Sequence, residues 1–149
     1  MFKTIVTVIG VTAFVFLSYV GANAQGISRV EVCRDIRNKV NPAQATCIVP
    51  NNGKQGNYFQ EGDPIYILVR FVNTPVGKNS ITVTYNRILN NKYKRIGRKE
   101  VTFTSRSRNW AMWFPAHYKD NYKYEFYVYM KGKERVRWHK KYCVGCQEG

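Results

Sequence analysis

The chain has 149 residues, 44% of them apolar and 15% aromatic, a composition that excludes a disordered or low-complexity protein and suits one domain with a modest core. Its 24 lysines and arginines outweigh nine carboxylates to give a net charge of +15 at pH 7, which disfavours cationic ligands and points to anionic ones.

The chain opens on Met1, Phe2 and Lys3, runs through an apolar stretch from Ile5 to Val20, and reaches Ala22, Asn23 and Ala24. This charged start, apolar middle and small-residue site predict a secretory signal peptide over residues 1–24, cleaved after Ala24, with residues 25–149 as a single exported domain, periplasmic or extracellular. The apolar run falls short of the roughly 20 residues a membrane-spanning helix needs. Removing Lys3 with the leader takes one unit from the charge, so the domain stays strongly basic.

Arg29 to Cys33 reads as a first strand, and Cys47 to Val49 as another after the Asn41-Pro42 turn, while the polar stretch from Pro50 to Gly62 reads as a loop. From Ile65 the pattern is alternation, with Ile65, Ile67, Val69 and Phe71 on one face and Tyr66, Leu68, Arg70 and Val72 on the other. Both faces are apolar enough for a central strand. Ile81, Val83 and Tyr85 mark the next strand, Asn90 and Asn91 a turn, and Ile96, Val101 and Phe103 a third strand bulged around Gly97. Trp110, Met112 and Phe114 alternate in a short strand ended by Pro115. Tyr122, Tyr124, Phe126, Val128 and Met130 form the longest alternating run, which Lys131, Gly132 and Lys133 turn into a hairpin with Val136 and Trp138. The expected fold is an all-β, antiparallel, immunoglobulin-like sandwich of about seven strands, with a small β-barrel as the alternative.

The early strand, the Asn-Pro turn, the run through Phe59, Gly62, Asp63 and Ile65 to Phe71, the tryptophan strand around Trp110 and the final hairpin resemble a bacterial family of small exported immunoglobulin-like domains of unknown function. The resemblance covers nearly the whole predicted domain and implies its fold. That family carries no established catalytic residues to transfer. Its pattern lacks the four cysteines and the heavy basic charge found here.

The cysteines, Cys33, Cys47, Cys143 and Cys146, are even in number, and in an exported chain they predict two disulfides. Three connectivities are open, with a lean to the local one that joins Cys33 to Cys47 and Cys143 to Cys146. The Cys143-Val144-Gly145-Cys146 spacing also fits thiol exchange, but reactive motifs of this kind open a helix beside a βαβ unit, and neither is predicted. A zinc site drawing on all four cysteines conflicts with an oxidising compartment. No metal or other cofactor is expected.

His117 and His139 among so many lysines suggest a nuclease working by acid and base, yet no local motif surrounds either residue. Glu61 and Asp63 flank Gly62 in a turn that Asp63 is expected to organise. No catalytic residue is assigned.

Charge is more informative: from Lys92 to Lys141 basic residues far outnumber Glu100, Asp120, Glu125 and Glu134. Period two sorts Arg135, Arg137, His139 and Lys141 to one face of the last strand, opposite Val136 and Trp138, with Lys131 and Lys133 at the turn. Trp113 and Tyr127 are the aromatics expected to be exposed beside cations. The function expected is therefore a non-catalytic binding or accessory domain whose basic C-terminal hairpin engages an anionic polymer, an anionic membrane surface or an exported protein. The alternatives are a small exported nuclease or thiol oxidoreductase, and a structural assembly subunit docking through a sheet edge. Charged edge strands also serve simply to stay unpaired and soluble.

Overall fold

A computed structural model describes residues 26–48, 57–118 and 120–146. The predicted leader, Val49 and most of the predicted loop before Gly62 lie outside the described residues. Strands β1 (Gly26–Cys33), β2 (Asp35–Arg37), β3 (Thr46–Ile48), β4 (Tyr58–Phe59) and β5 (Tyr66–Val72) are followed by β6 (Gly77–Leu89) and β7 (Lys92–Ser105). The chain then runs through β8 (Trp110–Pro115), β9 (Lys123–Met130) and β10 (Arg137–Val144). Helix is confined, among the described residues, to one 3-10 turn over Pro42–Gln44.

The strands form a three-stranded sheet in the order β1-β5-β8, a five-stranded sheet in the order β4-β10-β9-β6-β7, and a two-stranded ribbon of β2 and β3. The sheets do not close into a barrel, so the fold is an all-β sandwich with antiparallel pairing throughout except between β10 and β4. Strand number exceeds the expected seven or so because the additions, β2 and β4, are two or three residues long and show no alternation to read.

The inward residues of both sheets meet in one core. Val30, Val32, Ile67, Val69 and Phe71 from the smaller sheet face Ile81, Val83, Phe103, Phe126 and Val128 from the larger, and Phe71 stacks on Phe103 with ring centroids 4.5 Å apart. Burying one such side chain contributes on the order of 1.5–3 kcal/mol. Trp138 reaches across from β10 and donates from its indole N–H to the carbonyl of Ile27 at 3.0 Å, fastening the two sheets.

β5 is central and apolar on both faces, as its sequence implies. Its second face is covered by the β2–β3 ribbon, where Cys33, Ile36, Ala45, Leu68 and Ala111 form a smaller core. Cys33 and Cys47 are joined there with Cα atoms 5.2 Å apart. Arg70 ties the ribbon down by donating to the Ala45 carbonyl and pairing with Glu31 at 3.5 Å.

The β6–β7 hairpin turns on Asn90 and Asn91, both at positive φ, 49° and 58°, a conformation asparagine tolerates better than most residues. Its register slips by one residue where Tyr85 pairs with Gly97 and Asn86 with Arg95, so the bulge expected at Gly97 is present. The extra residue, Ile96, packs toward the core.

Candidate functional site

Residues paired across neighbouring antiparallel strands share a face, so the register defines what stands on the outer surface of the five-stranded sheet. One row runs from His139 on β10 through Tyr127 and Thr84 to Arg98 on β7. The next runs from Lys141 through Glu125 and Asn86 to Arg95. Arg137 and Lys123 flank these rows on β10 and β9. Arg95, Arg98, Lys123, Arg137, His139 and Lys141 are all exposed.

Side-chain contacts knit the β9–β10 part of this face. The Arg137 guanidinium lies 4.7 Å from the centre of the Tyr127 ring, and the opposite neighbour, His139, stacks on the same ring at 4.8 Å. Glu125, only 4% exposed although it points away from the core, accepts from Asn86 Nδ2 at 2.9 Å and meets His139 Nε2 at 3.0 Å. Burial, and then the negative charge of Glu125 beside it, raise the Tyr127 hydroxyl above the ordinary tyrosine range. The result is a basic surface with Glu125 sunk into it and a second carboxylate, the exposed Glu100, in the row of Arg137.

Several expected site residues stand elsewhere. Arg135 and Val136 lie in successive turns, with Lys133 N–H bonded to the Met130 carbonyl and Val136 N–H to that of Lys133, so the strand begins only at Arg137. Val136 is accordingly 72% exposed and faces no core, which corrects the two-residue phase carried back through the turn. Lys133 stays in that turn, and Lys131 crosses to Glu100 on β7 at 3.0 Å. Trp113 has the outward parity expected, but it is on the other sheet and half-buried against the Cys33–Cys47 core, so it does not join the basic face. Tyr127 is on the face and half-buried between Arg137 and His139.

The two histidines do not converge. His117 packs on Tyr85, a core residue, with centroids 5.7 Å apart, whereas His139 is on the outer side of the same sheet. Cys143 and Cys146 are paired with Cα atoms 5.8 Å apart at the end of a strand, and among the described residues no helix opens at them. Gly145 makes that turn at a φ of 64°, and the Asn121 side chain fills the space a Cβ would need. Asp63 organises its turn as expected, accepting from the Gln60 N–H at 3.0 Å. Among the described residues, no three histidine, cysteine or acidic side chains group closely enough to hold a metal ion, and no helix is long and apolar enough to cross a membrane.

Sequence reasoning missed Glu125, Arg95, Arg98 and Lys123 as members of this face. Their alternation is visible, but the register that unites β7 with β10 through two intervening strands is not a property of any local segment.

No family model matches the chain, and no curated protein matches it. Among solved structures, a β-glucosidase from Listeria innocua in complex with gluconolactone aligns over 79% of this chain at 10% identity, with a TM-score of 0.44. The chain spans 16% of that enzyme's length, and a likeness of this degree carries nothing about function.

Proposed function

We propose that this is an exported, disulfide-bonded binding domain that holds an anionic polymer against the outer face of its five-stranded sheet. The observation that carries the reading is the gathering of Arg95, Arg98, Lys123, Arg137 and Lys141 on one face from β7, β9 and β10. Summed Coulomb attraction from such an array acts over about 10 Å at ordinary salt and needs no deep cleft. The leader pattern and two disulfides support export, and the resemblance to small exported immunoglobulin-like domains belongs to the same reading.

Retention on immobilised heparin, followed against ionic strength, tests the proposal. Charge reversal at Arg98 and Arg137 should weaken binding about tenfold or more, taking on the order of 1 kcal/mol per cation near an anionic surface. Arg29→Glu with Arg37→Glu makes the same change in net charge on the other side of the sandwich and should matter much less. Equal effects from the two pairs would reduce the binding to net charge and overturn the assignment to this face.

A further inference from the structure

The register that assembles the cations also draws one row of side chains across all five strands: Tyr58, Cys143, Lys123, Ile88 and Tyr93. This row lines a cavity of about 420 Å³, within the usual size range of small-ligand sites. Asn57, Asn91 and Lys141 line it as well.

Its chemistry is specific. Tyr58 and Tyr93 are 39% and 56% exposed, large rings left in water at opposite edges of the sheet. Each can offer a flat apolar face together with a hydroxyl. The Lys141 ammonium lies 6.0 Å from the centre of the Tyr93 ring, the outer limit of a cation–π contact, so lysine and tyrosine lean toward one another over β9 and β6. Glu125, the carboxylate of the adjoining row, is engaged by Asn86 and His139.

We infer that this cavity is a subsite for an acidic saccharide unit, a sugar ring bearing a carboxylate or sulfate. The ring lies on Tyr93, the anionic group meets Lys141 and Lys123, and hydroxyls meet the asparagine amides, which both donate and accept. Among the described residues the cations that line the cavity are lysines. The two lysine ammoniums are point charges that meet a carboxylate or sulfate without a fixed fork, and what points to a saccharide is their company: exposed tyrosine rings for a sugar face and asparagine amides for its hydroxyls. The inference rests on the anionic-polymer reading and narrows its ligand to acidic glycans.

The full chain would be titrated with an oligogalacturonate, a sulfated oligosaccharide, a neutral oligosaccharide and an oligodeoxynucleotide of matched charge, with tyrosine ring resonances and calorimetry as readouts. Perturbation of Tyr58 and Tyr93 by an acidic saccharide alone, weakened about tenfold by Tyr93→Ala and retained in Tyr93→Phe, is the expected result, and the stronger acidic ligand identifies the anionic group. Lys123→Ala should act like Tyr93→Ala. Tyr93→Ala, which removes no charge, should leave the contribution of Arg98 and Arg137 to heparin retention in place. Equal perturbation by the neutral sugar or the oligonucleotide would overturn the inference. Heparin retention without any saccharide effect at the tyrosines would defeat the subsite alone, whereas loss of all polymer binding would defeat the wider reading.

Discussion

His139 Nε2 and Glu125 Oε2 stand 3.0 Å apart on the outer face of the larger sheet, and the other carboxylate oxygen of Glu125 accepts from Asn86. A charge that is 4% exposed on a surface strand is thereby satisfied from both sides.

That arrangement separates stability from affinity. Glu125→Ala strands the Asn86 amide and the His139 ring, and should cost about 1–3 kcal/mol in urea unfolding. Glu125→Gln keeps an acceptor of the same shape and should cost less than half as much. Both substitutions remove a negative charge from a basic face, so both should raise the salt needed to elute the protein from heparin. A stability loss without that shift would mean the face does not contact the polymer.

Tyr85 and Tyr142 make the fold sensitive to alkali. Burial raises the hydroxyl of each well above the usual tyrosine range, and the Tyr142 hydroxyl donates to the His117 carbonyl at 2.5 Å. In the unfolded chain both ionise near pH 10. Above that pH the unfolded state binds fewer protons than the folded one, so stability is fully present below about pH 10 and falls as pH rises, by roughly 1.4 kcal/mol per pH unit for each tyrosine. Urea unfolding between about pH 9 and pH 11 measures the slope. Tyr85→Phe should remove one tyrosine's share, roughly 1.4 kcal/mol per pH unit.

The two disulfides should differ in worth. Cys33 and Cys47 close a loop with a separation of 14 residues, and Cys143 and Cys146 one of 3. Chain entropy then assigns about 3 kcal/mol to the first and roughly half that to the second. Replacing Cys33 and Cys47 by alanine should also loosen the β2–β3 ribbon over Trp113 and shift tryptophan emission to the red. Replacing Cys143 and Cys146 should leave that emission unchanged.

Much of this fold is legible before any coordinates. The double-faced apolar pattern of Ile65 to Val72 marks a central strand because only a strand covered on both sides tolerates it, and β5 is such a strand. The failures have a common cause. Trp113 has the predicted parity, but its cover comes from Asp35–Ile48, far away in the chain. Alternation alone phases Val136 with Trp138, whereas two consecutive turns break the period before Arg137. Glu125 sits in a tyrosine-rich run where a lone carboxylate reads as a solvated side chain. Its partners, Asn86 and His139, are brought beside it only by pairing of β9 with both neighbours.

The β6–β7 turn can be improved. Asn90 and Asn91 both adopt positive φ, and glycine occupies the second position of such turns with least strain. Asn91→Gly should raise stability by a few tenths of a kcal/mol, while replacing both asparagines by alanine should cost about 1–2 kcal/mol for each left-handed residue. Because Asn91 also lines the tyrosine cavity, the glycine variant should combine higher thermal stability with weaker acidic-saccharide binding.

The extra residue in β7 makes that strand two instruments tuned separately. Beyond Gly97 the outward positions are even-numbered, Arg98 and Glu100, phased by core contacts of Val101 and Phe103; before Ile96 they are odd-numbered, Tyr93 and Arg95, phased by the asparagine turn. In an uninterrupted ladder Ile96 would point into water, and Tyr93 and Arg95 would turn from the cavity and the cations. Removing Ile96 preserves the pairing on either side, gives up that side chain's packing on the core and relaxes the added twist. Such a deletion would change the angle at which Tyr93 approaches Lys141 while leaving every lining residue in place, and so offers a way to reshape ligand preference without altering charge.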